Sequence, residues 1–256
     1  ESCEMQVKKC SDELEMVLGY TKRKEEHVQK FTENIAHQIK TPLAGLSLLL
    51  DVIREEIPQE QTIQNDIAQC FLHVERIKEF IRQLLTISRI EAGKVRFIKE
   101  PVSISGLFEN VRQAVQTDCK LTFDCADKDA QIYADGQWIT EALINLVENA
   151  CRAARAAQQM QEQPEVKIVA VVHADKCVIK VVDNGNGFAD GDTAHLFDRF
   201  ETQGDYASFQ TGIGLNLSRL VVEAHSGTIQ AYNRQDGQGA VFRVVLPQFA
   251  LKQGKI

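Results

Sequence analysis

Three side chains that could act together lie within one helical turn at His37, Gln38 and Thr41, in the string Phe31-Thr-Glu-Asn-Ile-Ala-His37-Gln38-Ile-Lys-Thr41-Pro42-Leu-Ala. An imidazole can serve as a nucleophile or carry a proton. If Ile35 and Ile39 face a core, His37 lies about 200° around the helix from Ile35, on the outer face where another domain could reach it. Thr41 follows one turn later on the same face. Pro42 has no N–H, so the carbonyl of Gln38 loses its helical partner and the helix is expected to bend. Alone, an exposed helical histidine is an ordinary solvated residue. A bend one turn away makes it a candidate reaction site.

A second set of residues suits phosphate and a flat base. In Leu143-Ile-Asn145-Leu-Val-Glu148-Asn149-Ala-Cys-Arg152 the polar residues recur at spacings of three and four, which puts them on one helix face. Amides, a carboxylate and a guanidinium suit a hydrated magnesium ion and phosphate oxygens, although a solvated helix face would look the same. In Val181-Val-Asp183-Asn-Gly185-Asn-Gly187-Phe188 a carboxylate closes a strand, where it can accept a hydrogen bond from an exocyclic amine. The glycines beside it let backbone come close to a base, or they form a plain turn. Leu196-Phe197-Asp198-Arg199-Phe200 could pin a long loop by burying its rings. Thr211-Gly212-Ile-Gly214-Leu215-Asn216-Leu-Ser opens a helix, whose first amides favour anions. No GxxxxGK[ST] string occurs, so a P-loop is not indicated.

Two kinds of element must position these residues. Residues 1–92 hold only Gly19 and Gly45 as glycines. Val7, Leu14, Val28 and Ile35 form one helical stripe, widened by Leu18, Phe31 and Ile39. Ile63, Ile67, Phe71, Val74, Ile77, Ile81, Leu84 and Leu85 form another. Ile57-Pro58-Gln59 reads as the turn between two antiparallel helices. Such a hairpin leaves an apolar face that a second copy would bury as a four-helix bundle. Beyond Gly93, which can cap the preceding helix, strands are expected at Gln131–Tyr133, Glu165–His173, Cys177–Asp183, Thr228–Tyr232 and Ala240–Leu246. Helices are expected at Ser103–Thr117, Gln137–Gln161 and Gly214–His225. Gly185–Thr211 shows no period and reads as a long functional loop.

Composition narrows the class. A net charge of −7 disfavours nucleic acid as a partner, because phosphate backbones need a basic surface and only short basic runs such as Lys22-Arg23-Lys24 occur. The seven cysteines form no CxxC pair and are expected to be reduced thiols. No apolar run approaches the roughly 18–20 residues that span a bilayer, and no secretory leader is expected. The first residue is Glu1 rather than Met, which fits a piece of a longer protein.

Taken in order, the strings around His37, Asn149, Asp183, Phe197 and Gly214 resemble the H box, N box, first glycine box, F box and second glycine box of sensor histidine kinases. The resemblance covers about residues 28–248. It implies an α + α/β chain: an antiparallel helical hairpin forming a dimeric four-helix bundle, followed by an α/β sandwich of the GHKL (Bergerat) type. The implied domains are a signalling or coiled-coil helix at 1–27, a dimerisation and histidine phosphotransfer hairpin at 28–92, and a catalytic ATP-binding domain at 94–250. In the first of these, Thr21, Lys24 and Glu25 interrupt the apolar seam, as an ordinary irregular coiled coil also would.

The resemblance further implies that His37 accepts the γ-phosphoryl of ATP, that Asn149 holds Mg2+, and that Asn145, Arg152 and Arg199 lie near the phosphates. Asp183 would read the adenine amino group beside Gly185 and Gly187. Gly212, Gly214 and Leu215 would cradle the triphosphate. The phosphoryl group would pass to an aspartate on a response-regulator receiver domain, and Thr41 would orient a water that hydrolyses the regulator's phosphate. The partners implied are a second copy of the chain and the regulator. Any membrane attachment would lie in segments outside this sequence, which would be the cytoplasmic portion of a membrane-bound sensor.

Two positions depart from the family pattern. Gln38 stands where an acidic residue is usual, and its amide can orient the imidazole but not take its proton. Ala153 stands where an aromatic or basic residue is frequent. A non-catalytic or phosphatase-only dimeric scaffold with a retained nucleotide site is the alternative that Gln38 raises. A GHKL ATPase of the gyrase or chaperone kind would lack the hairpin with its histidine.

Overall fold

A computed structural model describes residues 38–39, 41–46, 48–49, 52, 60–91, 93–127, 129–157, 163–188, 193, 195–198, 213–235 and 237–248. The expected turn at 57–59 and the expected signalling helix at 1–27 lie outside the described residues. The chain divides into two compact units, Glu1–Glu79 and Phe80–Ile256.

In the first unit the described residues between 38 and 52 are helical, and helix α1 spans Glu60–Glu91, crossing into the second unit. The ring of His73 lies against Gly45, where a Cβ would come within 3.0 Å of it, so glycine sets how closely these helices approach. Several described side chains of the α1 stripe are open to solvent, the apolar face that the sequence left for a second copy. Phe71 is 66% exposed, and Ile67, Ile81 and Leu85 are also exposed, while Val74, Ile77 and Leu84 are half-buried. A single hairpin has no partner for that face. Gly93 ends α1 as anticipated: its φ is +64°, its N–H bonds the carbonyl of Ile90 at 2.9 Å, and the N–H of Lys94 bonds that of Arg89.

The second unit is a layer of helices on one face of a mixed sheet. Its strands are β1 (Glu100–Ser103), β2 (Lys120–Cys125), β3 (Gln131–Ala134), β4 (Glu165–Val172), β5 (Lys176–Asp183), β6 (Thr228–Asn233) and β7 (Ala240–Pro247). Its further helices are α2 (Ile104–Ala114), α3 (Gly136–Ala156) and α4 (Gly214–Ala224). The main sheet runs β2-β4-β5-β7-β6, with β2 parallel to β4 and the other pairs antiparallel. β1 and β3 make a separate antiparallel pair.

Alternation decides which face the helices cover. Val166, Ile168 and Ala170 on β4, Cys177, Ile179 and Val181 on β5, and Phe242, Val244 and Leu246 on β7 are all buried, and the register aligns them in rows. Against these rows lie the buried side chains of α3 (Ile139, Ala142, Leu143, Leu146, Ala150) and α4 (Leu217, Val221, Val222). Among the described cysteines, Cys70, Cys119, Cys125, Cys151 and Cys177 are all free thiols. Burial pushes the thiols of Cys151 and Cys177 up to about 12, so they pack as small apolar groups.

Two strands, β1 and β2, were not anticipated. β2 carries a readable signal, because Leu121, Phe123 and Cys125 alternate with Lys120, Thr122 and Asp124. Its charges suit a sheet edge, where Lys120 pairs with Glu165 at 3.0 Å and Asp124 with Lys167 at 3.2 Å. β1 contains Pro101, which cannot donate to a ladder, and it occupies an edge of the two-stranded pair.

The end of α4 and the start of α3 share a polar knot. The Nδ1 of His225 lies 2.8 Å from the carbonyl of Val221, and its Nε2 accepts from the N–H of Asp135 at 3.0 Å. The partners therefore require a neutral ring with its proton on Nδ1. Asp135 caps α3 through Trp138, and its second carboxylate oxygen accepts from the N–H of Ile98 at 2.8 Å. Burial lowers the His225 pKa from its ordinary 6.5, with the charge of Lys99 acting in the same direction. A depressed histidine contributes stability that is present above the unfolded value and lost as pH falls. The melting temperature of the chain should therefore decline as pH drops below about 6.5. His225→Gln should flatten that decline. Equal slopes for the parent and the variant would show that this ring does not govern it.

Candidate nucleotide site

Asp183 is the last inward-facing residue of β5, so the apolar row of that strand ends in a carboxylate that is 1% exposed. Its Oδ1 accepts from the N–H of Gly185 at 2.9 Å and from the N–H of Ala240 at 3.1 Å. Its Oδ2 is buried, with no hydrogen-bond partner among the described residues. Burial pushes the carboxyl above its ordinary pKa, opposed by the two backbone N–H groups and by the charge of Arg234. Such an oxygen costs stability unless something donates to it. An amine on a bound base would be such a donor.

Glycines let the chain fold tightly around this carboxylate. A Cβ on Gly185 would lie 2.9 Å from the carbonyl carbon and oxygen of Ala153 on α3. Gly187 has φ +75°, and a Cβ there would come within 2.7 Å of Asn233 Oδ1. Asn233, at the end of β6, holds the following residue with both ends of its amide. It accepts from the N–H of Phe188 at 2.7 Å and donates to the Phe188 carbonyl at 2.9 Å. Gly239, at φ +122°, packs on the carbonyl of Asp183, where a Cβ would collide. Neither Asn233 nor Gly239 was singled out from the sequence, because each reaches the Asp183 loop from more than forty residues away.

Helix α3 supplies the opposite wall. Asn145 is buried, and its Nδ2 has no partner among the described residues. Asn149 donates its Nδ2 to the carbonyl of Asn145 at 3.0 Å, which leaves its amide oxygen as the group able to bind a cation. Arg152 is half-buried, and desolvation lowers its pKa while Glu148 raises it. Helix α4 begins against this wall, since a Cβ on Gly214 would sit 3.0 Å from Asn145 Oδ1. The N-cap of α4, Ile213, makes no side-chain hydrogen bond to the first-turn N–H groups. Leu215 is half-buried on that first turn. The structure thus brings Asn145 beside Gly214, and Gly185 onto α3.

His37, Arg199 and Gly212 lie outside the described residues. Gln38 is helical and half-buried, and Thr41 is helical and exposed, both in the first unit.

Comparison with known proteins fits this arrangement. Residues 27–93 match the model of the His Kinase A (phospho-acceptor) domain. Residues 134–250 match that of the histidine kinase-, DNA gyrase B-, and HSP90-like ATPase. The sensor protein KdpD of Escherichia coli K12 is 32% identical over 223 residues, which is 84% of this chain and 24% of KdpD. The sensor protein kinase PmrB of Pseudomonas aeruginosa is 28% identical over 255 residues, 97% of this chain and 51% of PmrB. The chain thus spans between a quarter and about half of the curated relatives it matches. Histidine kinase ThkA, solved in complex with the response regulator protein TrrA, shares the fold with a TM-score of 0.67 at 22% identity, over 87% of this chain and 62% of that one.

Asp183→Asn separates binding from folding. The amide oxygen can still accept from Gly185 and Ala240, while its NH2 would meet an adenine amine donor to donor. Nucleotide affinity should fall about 10- to 100-fold by calorimetry. A carboxyl whose folded pKa is raised contributes most at low pH, and the cost of its ionisation grows as pH rises above its ordinary 3.8. The variant should therefore melt no lower than the parent at neutral pH. Unchanged affinity would remove Asp183 from the site.

With a helical phospho-acceptor segment followed by an ATP-binding α/β domain of this kind, the chain belongs to the sensor histidine kinases.

Proposed function

We propose that this chain binds Mg-ATP in its second unit and transfers the γ-phosphoryl group to His37, then to an aspartate on a response-regulator receiver domain. The observation that carries the nucleotide part is the buried Oδ2 of Asp183, which lacks a partner among the described residues in a fold whose family binds ATP. In this reading Asp183 receives the adenine amine, Gly185 and Gly187 admit the base, and the first turn of α4 (Gly214 and Leu215) with Gly212 faces the phosphates. Asn145 and Arg152 line the phosphate side, joined by Arg199. A magnesium ion held through the oxygen of Asn149 would neutralise phosphate charge.

Phosphoryl transfer depends mainly on positioning and charge neutralisation. A nitrogen of the His37 ring would form the new N–P bond as the bond between the γ-phosphorus and the β–γ bridging oxygen breaks, releasing ADP. Gln38 would orient the ring by accepting from its other N–H. The exposed Thr41, one turn on, would position water for hydrolysis of the regulator's aspartyl phosphate. Pairing of two chains through the exposed apolar residues of α1 would form the bundle, in keeping with a phospho-acceptor domain. We assign residues 28–92 to that role, 94–250 to nucleotide binding and 1–27 to relaying a signal. Among the described residues no helix is long and apolar enough to cross a membrane. Any anchorage would lie outside this sequence, leaving this part in the cytoplasm.

The test is incubation with magnesium and γ-labelled ATP, comparing the parent with His37→Ala, Gln38→Glu and Thr41→Ala. Acid-labile, base-stable label is expected on all but His37→Ala, and Thr41→Ala should fail to dephosphorylate the regulator. A parent that binds nucleotide yet takes no label, with Gln38→Glu gaining it, would favour the phosphatase or scaffold reading that Gln38 raises.

A further inference from the structure

Next to the proposed phosphate side, a short turn is tied to α4 by two bonds. Asn216, in the first turn of α4, is 2% exposed and donates its Nδ2 to the carbonyl of Phe197 at 3.0 Å. Arg219, one turn on, holds Asp198 through Nη1 at 3.0 Å. On its other oxygen Asp198 meets His195 Nδ1 at 3.0 Å, and that contact, ahead of Arg219, keeps the carboxyl below its ordinary pKa. The Phe197 ring packs edge-on against Phe242 of β7, which roots the turn in the core.

Asn216 is a costly choice for stability alone. Its Oδ1 is buried without a partner among the described residues, so the side chain gains one hydrogen bond and leaves one acceptor unpaired. What the amide does supply is a fixed distance between the turn at 195–198 and the helix turn that starts with Gly214, itself lodged against Asn145.

We infer that Asn216 is a positioning residue for the nucleotide phosphates. With the Asp198–Arg219 pair it forms a clasp that holds the first turn of α4 in register with the Asn145 face of α3. This rests on the nucleotide reading above. The clasp touches the phosphate side and not Asp183, so it acts on ATP more than on adenosine. Its two ties serve one geometry, so losing either removes most of the benefit.

The experiment measures binding of Mg-ATP and of adenosine to the full chain for the parent, Asn216→Ala, Arg219→Gln and the double variant. Asn216→Ala should weaken ATP about three- to tenfold while leaving adenosine affinity nearly unchanged. The double variant should lose little more than either single one. Equal ATP affinity in parent and Asn216→Ala, or equal losses for ATP and adenosine, would overturn the clasp. If Asn216→Ala does not fold, the same comparison on the partly exposed Arg219→Gln decides. A parent that binds neither ligand would instead overturn the nucleotide reading.

Discussion

The site is organised around a carboxylate buried at the end of a strand. Asp183 follows three inward-facing apolar residues on β5, so the packing that builds the sheet also takes this side chain out of water. Burying a carboxylate is unfavourable unless donors meet it. Two of them come from the backbone, at Gly185 and Ala240, and both occupy the same oxygen. The glycines follow from this arrangement. Gly185 must turn back under α3, and Gly239 must pass over the Asp183 carbonyl for Ala240 to arrive in register. The second oxygen has no hydrogen-bond partner among the described residues, and an unpaired acceptor of this kind is tolerated where function uses it.

Helix α3 serves two requirements at once. Its buried face, from Ile139 to Ala154, packs against α4 and the central strands. Its polar face carries Asn145, Glu148, Asn149 and Arg152, but Asn145 turns out to be enclosed and not solvated, because Gly214 brings α4 against it. The two helices are further joined by Ser218, whose hydroxyl donates 3.2 Å to the carbonyl of Ala142. Movement of α4 would therefore be felt at Asn145, which is the physical content of coupling between them.

Much of the α/β unit was legible because its signals are local. The runs at β4, β5 and β7 are rich in valine, the run at β6 alternates, and caps or breakers sit near the ends of their helices. β2 escaped notice because its apolar positions are separated by charges that make sense only beside β4. Asn233 and Gly239 escaped because their roles come from pairing distant in sequence, and neither residue type announces a contact with Asp183. Asn216 was quoted within a glycine-rich string but not distinguished from it, since its bond to Phe197 depends on where the chain returns. On α1 the helical period was plain, yet period alone does not say whether a face meets its own chain or another, and here much of it is exposed.

The most direct measurement of the central claim compares ATP with inosine triphosphate, in which an oxo group replaces the amine that Asp183 would receive. An acceptor-only carboxylate should bind ATP about 10- to 100-fold more tightly, because the oxo group leaves Oδ2 facing another acceptor. Equal affinities for the two nucleotides in the parent chain would contradict the account and leave the buried oxygen of Asp183 without a ligand.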